Sequence, residues 1–370
     1  MNKKKILTII LIILFIGFVA ERINTNKTDV YEEQNKNSIK KNKNLLSMNL
    51  EQTAGAGDYK TVTQSSWPTK GYKFNAELSR CENGSTLSWD DTKKTVIMQG
   101  NVSDKCYVYF DLIPSMTLAE YVISQYTGVQ GENSIYYHNS SLENGAGDNS
   151  YRYAGASDSV NNYICLGSDE ATCPDANLFR IIGVFGAQTK VIRAKSVGDQ
   201  KWNTSKANAW SSSSLNTYLN GEYLTNLGTL ADKIATTTWK VEGGYTTNLY
   251  DVPKTAYQYE VGSSSSSTTH DAKIGLMYVS DYGFAADSSE WTEKLGSYKS
   301  SSKNWLYLGS IEWTISRSSD NLYSAFYVKS GGVYSTYVTE SYVVRPSFNL
   351  ESSVKYVSGL GTIENPIRIN

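Results

Sequence analysis

Four cysteines, two histidines and several acidic and aromatic clusters are the residues of this 370-residue chain best suited to chemistry. The cysteines fall into two local pairs: Cys81 and Cys106 flank one short segment, Cys165 and Cys173 a shorter one. In an oxidising compartment an even count at such spacing reads as disulfides. A four-cysteine zinc site would want C-x-x-C knuckles, and none occurs. A Ser-His-Asp hydrolase needs a histidine between an acid and an activated serine. His138 and His270 instead sit in the polar stretches YYHNSS and STTHDAK and read as surface residues, and no G-x-S-x-G elbow is present.

Asp281, Asp287 and Glu290, in SDYGFAADSSEW, are oxygen donors of the kind Ca²⁺ prefers, although no EF-hand spacing accompanies them. Ca²⁺ is therefore the one cofactor the sequence leaves open; otherwise none is expected. Arg180, Arg193, Arg317 and Arg345 lie in or beside apolar segments, where a guanidinium needs partners such as Asp169, Glu312 or Glu340. The stretch from Leu322 to Tyr337 mixes Tyr, Ser and Gly as antibody-type binding surfaces do. Trp305, Trp313, Tyr323, Tyr327, Tyr334 and Tyr337 are accordingly the candidate ligand-binding residues, the alternative being that the alternating aromatics fill a core.

Hydrophobic patterning supplies the framework for these groups. Lys3 to Lys5 precede an apolar run, Ile6 to Ala20, of about 15 residues, short of the roughly 20 a comfortable helical span needs. The basic flank orients the downstream chain outward, and Phe18 stands where a signal peptidase wants a small residue, so a retained signal-anchor over 1–21 is expected, with a cleaved, secreted form as the alternative. The chain is thus expected to be a single-pass cell-membrane protein with its C-terminal region outside, partnered by the membrane through that helix. Residues 22–57 read as a polar tether. Residues 58–113 show strands between turn signals such as Asn83-Gly84 and form a small β domain with Trp67 and Trp89 in its core. Residues 114–150 hold a helix, capped by Ser115, and a linker. Residues 151–370 form a larger domain with strands at 178–185, 190–194, 274–279, 305–308, 323–328, 333–338 and 342–348 and helices at 215–219 and 227–234. The fold class is α+β, dominated by β. With 19 % charged residues and a net charge of −1, no basic stripe invites nucleic acid.

The stretches SSWPTKGYKFNAELSRCENGSTLSWDD and SYRYAGASDSVNNYICLGSDEATCPDANLFRIIGVF resemble modules of uncharacterised surface proteins of low-GC Gram-positive bacteria. The pieces AWSSSSLNTYLNGEYL, EWTISRSS and YVVRPSFNLESSVKYVSGLGTIENPI resemble a C-terminal domain of unknown function. That domain is distantly similar to the formylglycine-generating, sulfatase-modifying group and other C-type lectin-like folds. The resemblance implies short helices around a twisted, loop-rich sheet. The oxidase chemistry of that group depends on late cysteines, and no Cys follows Cys173. The leading expectation is a membrane-anchored extracytoplasmic binding or adhesion module for glycan or protein ligands. A structural surface or envelope scaffold is the alternative, and a hydrolase or other enzyme comes third because no motif pairs a nucleophile with a base.

Overall fold

A computed structural model describes residues 46–63, 66–68, 71–113, 115–262, 268–299 and 302–370. The chain divides into two compact units that meet in sequence between Pro114 and Ser115. The expected fold needs one correction at its start. Among the described residues no helix is long and apolar enough to cross a membrane, and the Ile6–Ala20 stretch assigned that role lies outside the described residues, so the N-terminal membrane helix is withdrawn from the fold.

The first unit is a four-stranded sheet and a hairpin. Its strands are β1 (Leu46–Glu51), β2 (Tyr59–Val62), β3 (Tyr72–Cys81), β4 (Thr86–Asp90), β5 (Thr95–Gln99) and β6 (Cys106–Leu112). The sheet order is β2-β1-β6-β3, with β4 and β5 paired separately. β1 occupies part of the expected polar tether. It runs parallel to β6, Leu46 opposite Cys106 and Leu50 opposite Phe110, and buries Asn49 and Glu51 along with Met48 and Leu50. Those polar residues are satisfied inside: the Glu51 carboxylate accepts from Leu112 N–H at 2.9 Å and Gly57 N–H at 2.8 Å. The core beneath is aromatic, with Trp67, Phe74 and Trp89 packed round Phe110. A disulfide joins Cys81 to Cys106 across the β3–β6 pair.

The second unit opens with the helix Leu118–Ser124. Its cap is Thr117 rather than Ser115: the Thr117 hydroxyl accepts from Glu120 N–H, and the Glu120 carboxylate accepts from Thr117 N–H, a reciprocal arrangement that stabilises the first turn. The segment expected to be a linker then supplies β7 (Ile135–Tyr137) to the main sheet. The other strands of that nine-stranded sheet are β8 (Tyr151–Tyr153), β9 (Tyr163–Cys165), β10 (Leu178–Phe185), β11 (Gln188–Arg193), β15 (Ile274–Gly275), β20 (Ser347–Leu350), β21 (Tyr356–Ser358) and β22 (Ile367–Ile369). Their order is β15-β20-β11-β10-β9-β22-β21, with β8 between β10 and β7. A second sheet, β12-β19-β16-β17-β18, contains β12 (Asp199–Lys201), β16 (Glu312–Arg317), β17 (Ser324–Lys329), β18 (Gly332–Tyr337) and β19 (Ser341–Val343). β13 (Thr237–Lys240) and β14 (Thr269–Ala272) make a separate pair. The Cys165–Cys173 disulfide closes the loop leading into β10.

Several expected elements differ. Residues 305–308 form no strand but a turn at 305–306 followed by irregular chain, with Trp305 and Leu306 buried as single anchors and not as one face of a ladder. The strand expected at 274–279 stops at Gly275, and Val279 begins a helix, Val279–Phe284. The helix expected over 227–234 is a short 3₁₀ segment, Gly228–Lys233.

Candidate functional site

Four strands of the main sheet bring chemistry-bearing residues into one row. Gly183 of β10 is opposite Arg152 of β8 on one side and Lys190 of β11 on the other, and Lys190 is opposite Asn349 of β20. Directly opposed residues of antiparallel strands point to the same face, so Arg152, Lys190 and Asn349 project together. Gly183 is required between them: a Cβ there would lie 2.2 Å from the Tyr151 carbonyl oxygen. Its missing side chain lets β8 and β10 approach closely beneath the row.

The helix Val279–Phe284 supplies the counter-charge. Asp281 Oδ2 accepts from Tyr278 N–H at 2.9 Å and from Lys190 Nζ at 2.5 Å, while Oδ1 lies 3.5 Å from Arg152 Nη1. The Glu260 carboxylate accepts from Val279 N–H and Ser280 N–H, each at 2.9 Å, and from the Ser316 hydroxyl. Two carboxylates thus satisfy donors that a helix start leaves open. On the far side Arg152 Nη2 donates to Asp148 at 2.7 Å and Nε to the Ser150 hydroxyl at 2.8 Å.

Aromatic faces line the two cations. Lys190 Nζ is 4.5 Å from the centroid of Tyr278 and 5.2 Å from that of Trp239. Arg152 Cζ is 4.6 Å from Phe185, 5.0 Å from Phe284 and 5.3 Å from Tyr257. Such contacts contribute about 0.5–2 kcal/mol each, more as water is excluded. Above the row lies a cavity of about 160 Å³ with Lys190, Asp281 and Asn349 among its walls and exposed Thr238 at its rim.

Burial shapes the electrostatics. It pushes the Lys190 amine down against the opposing pull of Asp281, and raises the Glu260 carboxyl to about 7 despite its N–H donors. Burial alone would raise Asp148, but the Arg152 guanidinium and the Ser150 donors outweigh it and hold the carboxyl at about 2. His138 is pushed well below its ordinary value by burial and then by Arg152. It is fully buried, with Nδ1 accepting from Ala146 N–H and the ring against Phe284 and Trp291, so it is not the surface histidine expected. His270, on β14, is half-buried, and its Nε2 lies 3.1 Å from the Asn216 amide nitrogen.

The residues nominated from sequence separate into three groups. Trp305 and Trp313 are buried anchors whose indole N–H groups donate to the carbonyls of Tyr153 and Gln200. Tyr327 is half-buried and faces Tyr334 across the β17–β18 register, while Tyr323, Tyr334 and Tyr337 are 53 %, 38 % and 58 % exposed, so only these three offer ring area to solvent without rearrangement. Of the calcium candidates, Asp281 is committed to Lys190 and Arg152, Asp287 accepts from Ser289 N–H, and Glu290 pairs with Lys303. Among the described residues no group of three His, Cys, Asp or Glu side chains is placed to hold a metal ion.

Three of the four nominated arginines, Arg180, Arg317 and Arg345, behave as structural groups, whereas Arg193 Nε is buried with no hydrogen-bond partner among the described residues. Arg345 meets Glu312 in a buried two-point pair at 2.7 and 2.8 Å. Arg317 pairs with Glu242 at 3.1 Å. Arg180 is held by neutral oxygens, at 2.6 Å to Asn162 and 3.0 Å to the Val160 carbonyl, and sits over the rings of Tyr163 and Trp305. The sequence does not reveal the Arg152–Lys190–Asp281 cluster as a unit. Asp281 is 91 residues from Lys190 in the chain, and the usable signal is an isolated lysine inside the apolar strand pattern after Phe185.

Residues 187–352 match the family described as Domain of unknown function (DUF6273). The chain therefore carries a C-terminal domain of unknown function, and Lys190, Asp281, Asn349 and the Arg345–Glu312 pair fall within the matched span, whereas Asp148 and Arg152 precede it. No curated protein and no solved structure matches the chain.

Proposed function

We propose that this protein is an extracytoplasmic recognition module that binds glycan or protein ligands through the cavity above the Arg152–Lys190–Asn349 row. One observation carries the reading. Among the described residues nothing donates to the buried Oδ1 atom of Asn349, a residue in the cavity wall, and a buried acceptor left open costs about 1–3 kcal/mol unless something donates to it. Two closed disulfides, accounting for all four cysteines, suit an oxidising compartment. The resemblance to Gram-positive surface proteins and to lectin-like folds leans the same way. Ca²⁺ has no part in this reading.

The tyrosines of the β17–β18 hairpin favour a second contact surface, since Tyr323, Tyr334 and Tyr337 present area at small entropic cost. The test is to probe glycan and peptide arrays with the full chain, its Thr238→Trp variant, which fills the cavity rim, and its Tyr334→Ala variant. Hits lost with Thr238→Trp support the cavity. Hits lost only with Tyr334→Ala move recognition to the hairpin. Silence on both arrays favours the alternative, a surface scaffold without a discrete ligand.

A further inference from the structure

We propose that the cavity takes a single neutral, hydroxyl-bearing ring, the end unit of a glycan, whose adjacent hydroxyls bridge Lys190 and Asn349. This rests on the recognition reading above and names the chemistry it selects.

Size comes first. A cavity of about 160 Å³ is smaller than the roughly 300 Å³ at which sites for drug-sized ligands begin. One ring or one short side chain fits, and a folded peptide segment does not.

Charge comes second. The floor holds two cations, Arg152 and Lys190, and two anions, Asp148 and Asp281, each already paired. Their formal charges cancel among themselves, and Lys240 in the wall adds one positive charge. A charged ligand would lose its hydration over a floor whose four charged groups already pair with one another, which is unfavourable in a buried site.

Hydrogen bonding comes third. Asn349 donates from Nδ2 to the Thr237 hydroxyl at 3.0 Å, so what it lacks among the described residues is a donor to Oδ1. Lys190 carries three N–H donors and has one hydrogen-bond acceptor among the described residues, Asp281. The two residues are direct partners across β11 and β20, so their side chains stand about 5 Å apart at Cβ. The ligand must therefore accept from one residue and donate to its neighbour over a short span. Adjacent alcohol groups do this without carrying charge, because each hydroxyl both donates and accepts. The half-buried rings of Phe185 and Tyr257 in the wall suit the C–H face of such a ring.

The experiment is saturation-transfer NMR with calorimetric titration of the full chain against a panel of neutral methyl glycosides, the matching uronic acids, the matching amino sugars, and a neutral cyclohexane lacking hydroxyls. Two variants are run alongside: Asn349→Leu, which removes the open acceptor, and Thr238→Trp, which obstructs the rim from an exposed position. The expected result is binding of at least one neutral glycoside, weakened ten-fold or more by both variants, with the charged and hydroxyl-free members weaker. Preference for the acids or amines, lost on Thr238→Trp, overturns the neutral class while leaving the cavity as the binding site. Glycoside binding indifferent to both variants overturns the cavity itself. No binding by any panel member overturns the sugar assignment, and if the peptide array then gives hits that Thr238→Trp removes, the recognition reading survives without it. If Asn349→Leu fails to fold, Thr238→Trp decides alone.

Discussion

Within the second unit, Glu260, His138 and the Arg345–Glu312 pair are among the buried groups that shape how the protein responds to pH and to loss of charge. Glu260, raised to about 7 by burial, binds a proton more readily folded than unfolded. Its contribution to stability is complete below the unfolded carboxyl range and is lost as pH rises through about 7. His138 has the opposite sense. Its folded value is depressed, so its contribution is present above about 6.5, the unfolded value, and is lost as pH falls below it. Urea unfolding of the wild type should show the two as opposing slopes, Glu260 lowering stability as pH rises from about 4.5 to about 7 and His138 lowering it as pH falls below about 6.5. Glu260→Gln should flatten the decline between about pH 4.5 and 7, and His138→Phe the decline below about 6.5; an unchanged slope between about pH 4.5 and 7 in Glu260→Gln would contradict the assignment of that acid. The Arg345–Glu312 pair carries a prediction of magnitude. Removing one partner leaves a buried charge alone, so Glu312→Gln should cost about 3–5 kcal/mol in the same assay. Replacing both with apolar residues should cost much less. These two residues are legible from sequence as a guanidinium in an apolar strand needing an acid. Asp281 stands out in the sequence for a different reason from the one the structure shows: oxygen-rich loop composition suggests Ca²⁺, whereas a lysine from a distant strand takes the cation's place.

Among the strands and helices, legibility depends on how local the pairing is. The β10–β11 hairpin, the two disulfide loops and the Leu118–Ser124 helix are readable because their partners lie within a few residues to a few tens of residues of each other. β1 is not, since its parallel partner β6 is far along the chain and half of its buried residues are polar. The start of the Val279–Phe284 helix is hidden similarly, its N–H groups being met by Glu260 as well as by a local cap. Gly183 shows how an element sets the site. Gly183→Ala would press a methyl group onto the Tyr151 carbonyl oxygen, forcing β8 and β10 apart beneath the Arg152–Lys190 row. Overpacking of this kind costs about 1–3 kcal/mol, and the variant should lose ligand binding along with stability. Binding retained at wild-type affinity would show that the β8–β10 spacing does not set the cavity.

Across the molecule, two units rest on different supports. The first is small and carries an inter-strand disulfide, and closing that loop stabilises it by about 3 kcal/mol in the chain-entropy view. Replacing Cys81 and Cys106 by Ala should lower the thermal transition of residues 46–113 while leaving ligand binding by the second unit unchanged. The second unit has an extensive core in which Trp202, Trp210, Trp239 and Trp313 are fully buried, and its size allows a buried charged row that a smaller core could ill sustain. The proposed function stands or falls on that row being the floor of a recognition site. Array binding by the full chain, compared with Thr238→Trp, decides the matter. Reproducible ligand hits should disappear with the rim substitution while the thermal transitions stay in place. Hits that persist unchanged in Thr238→Trp would contradict a recognition role for the row.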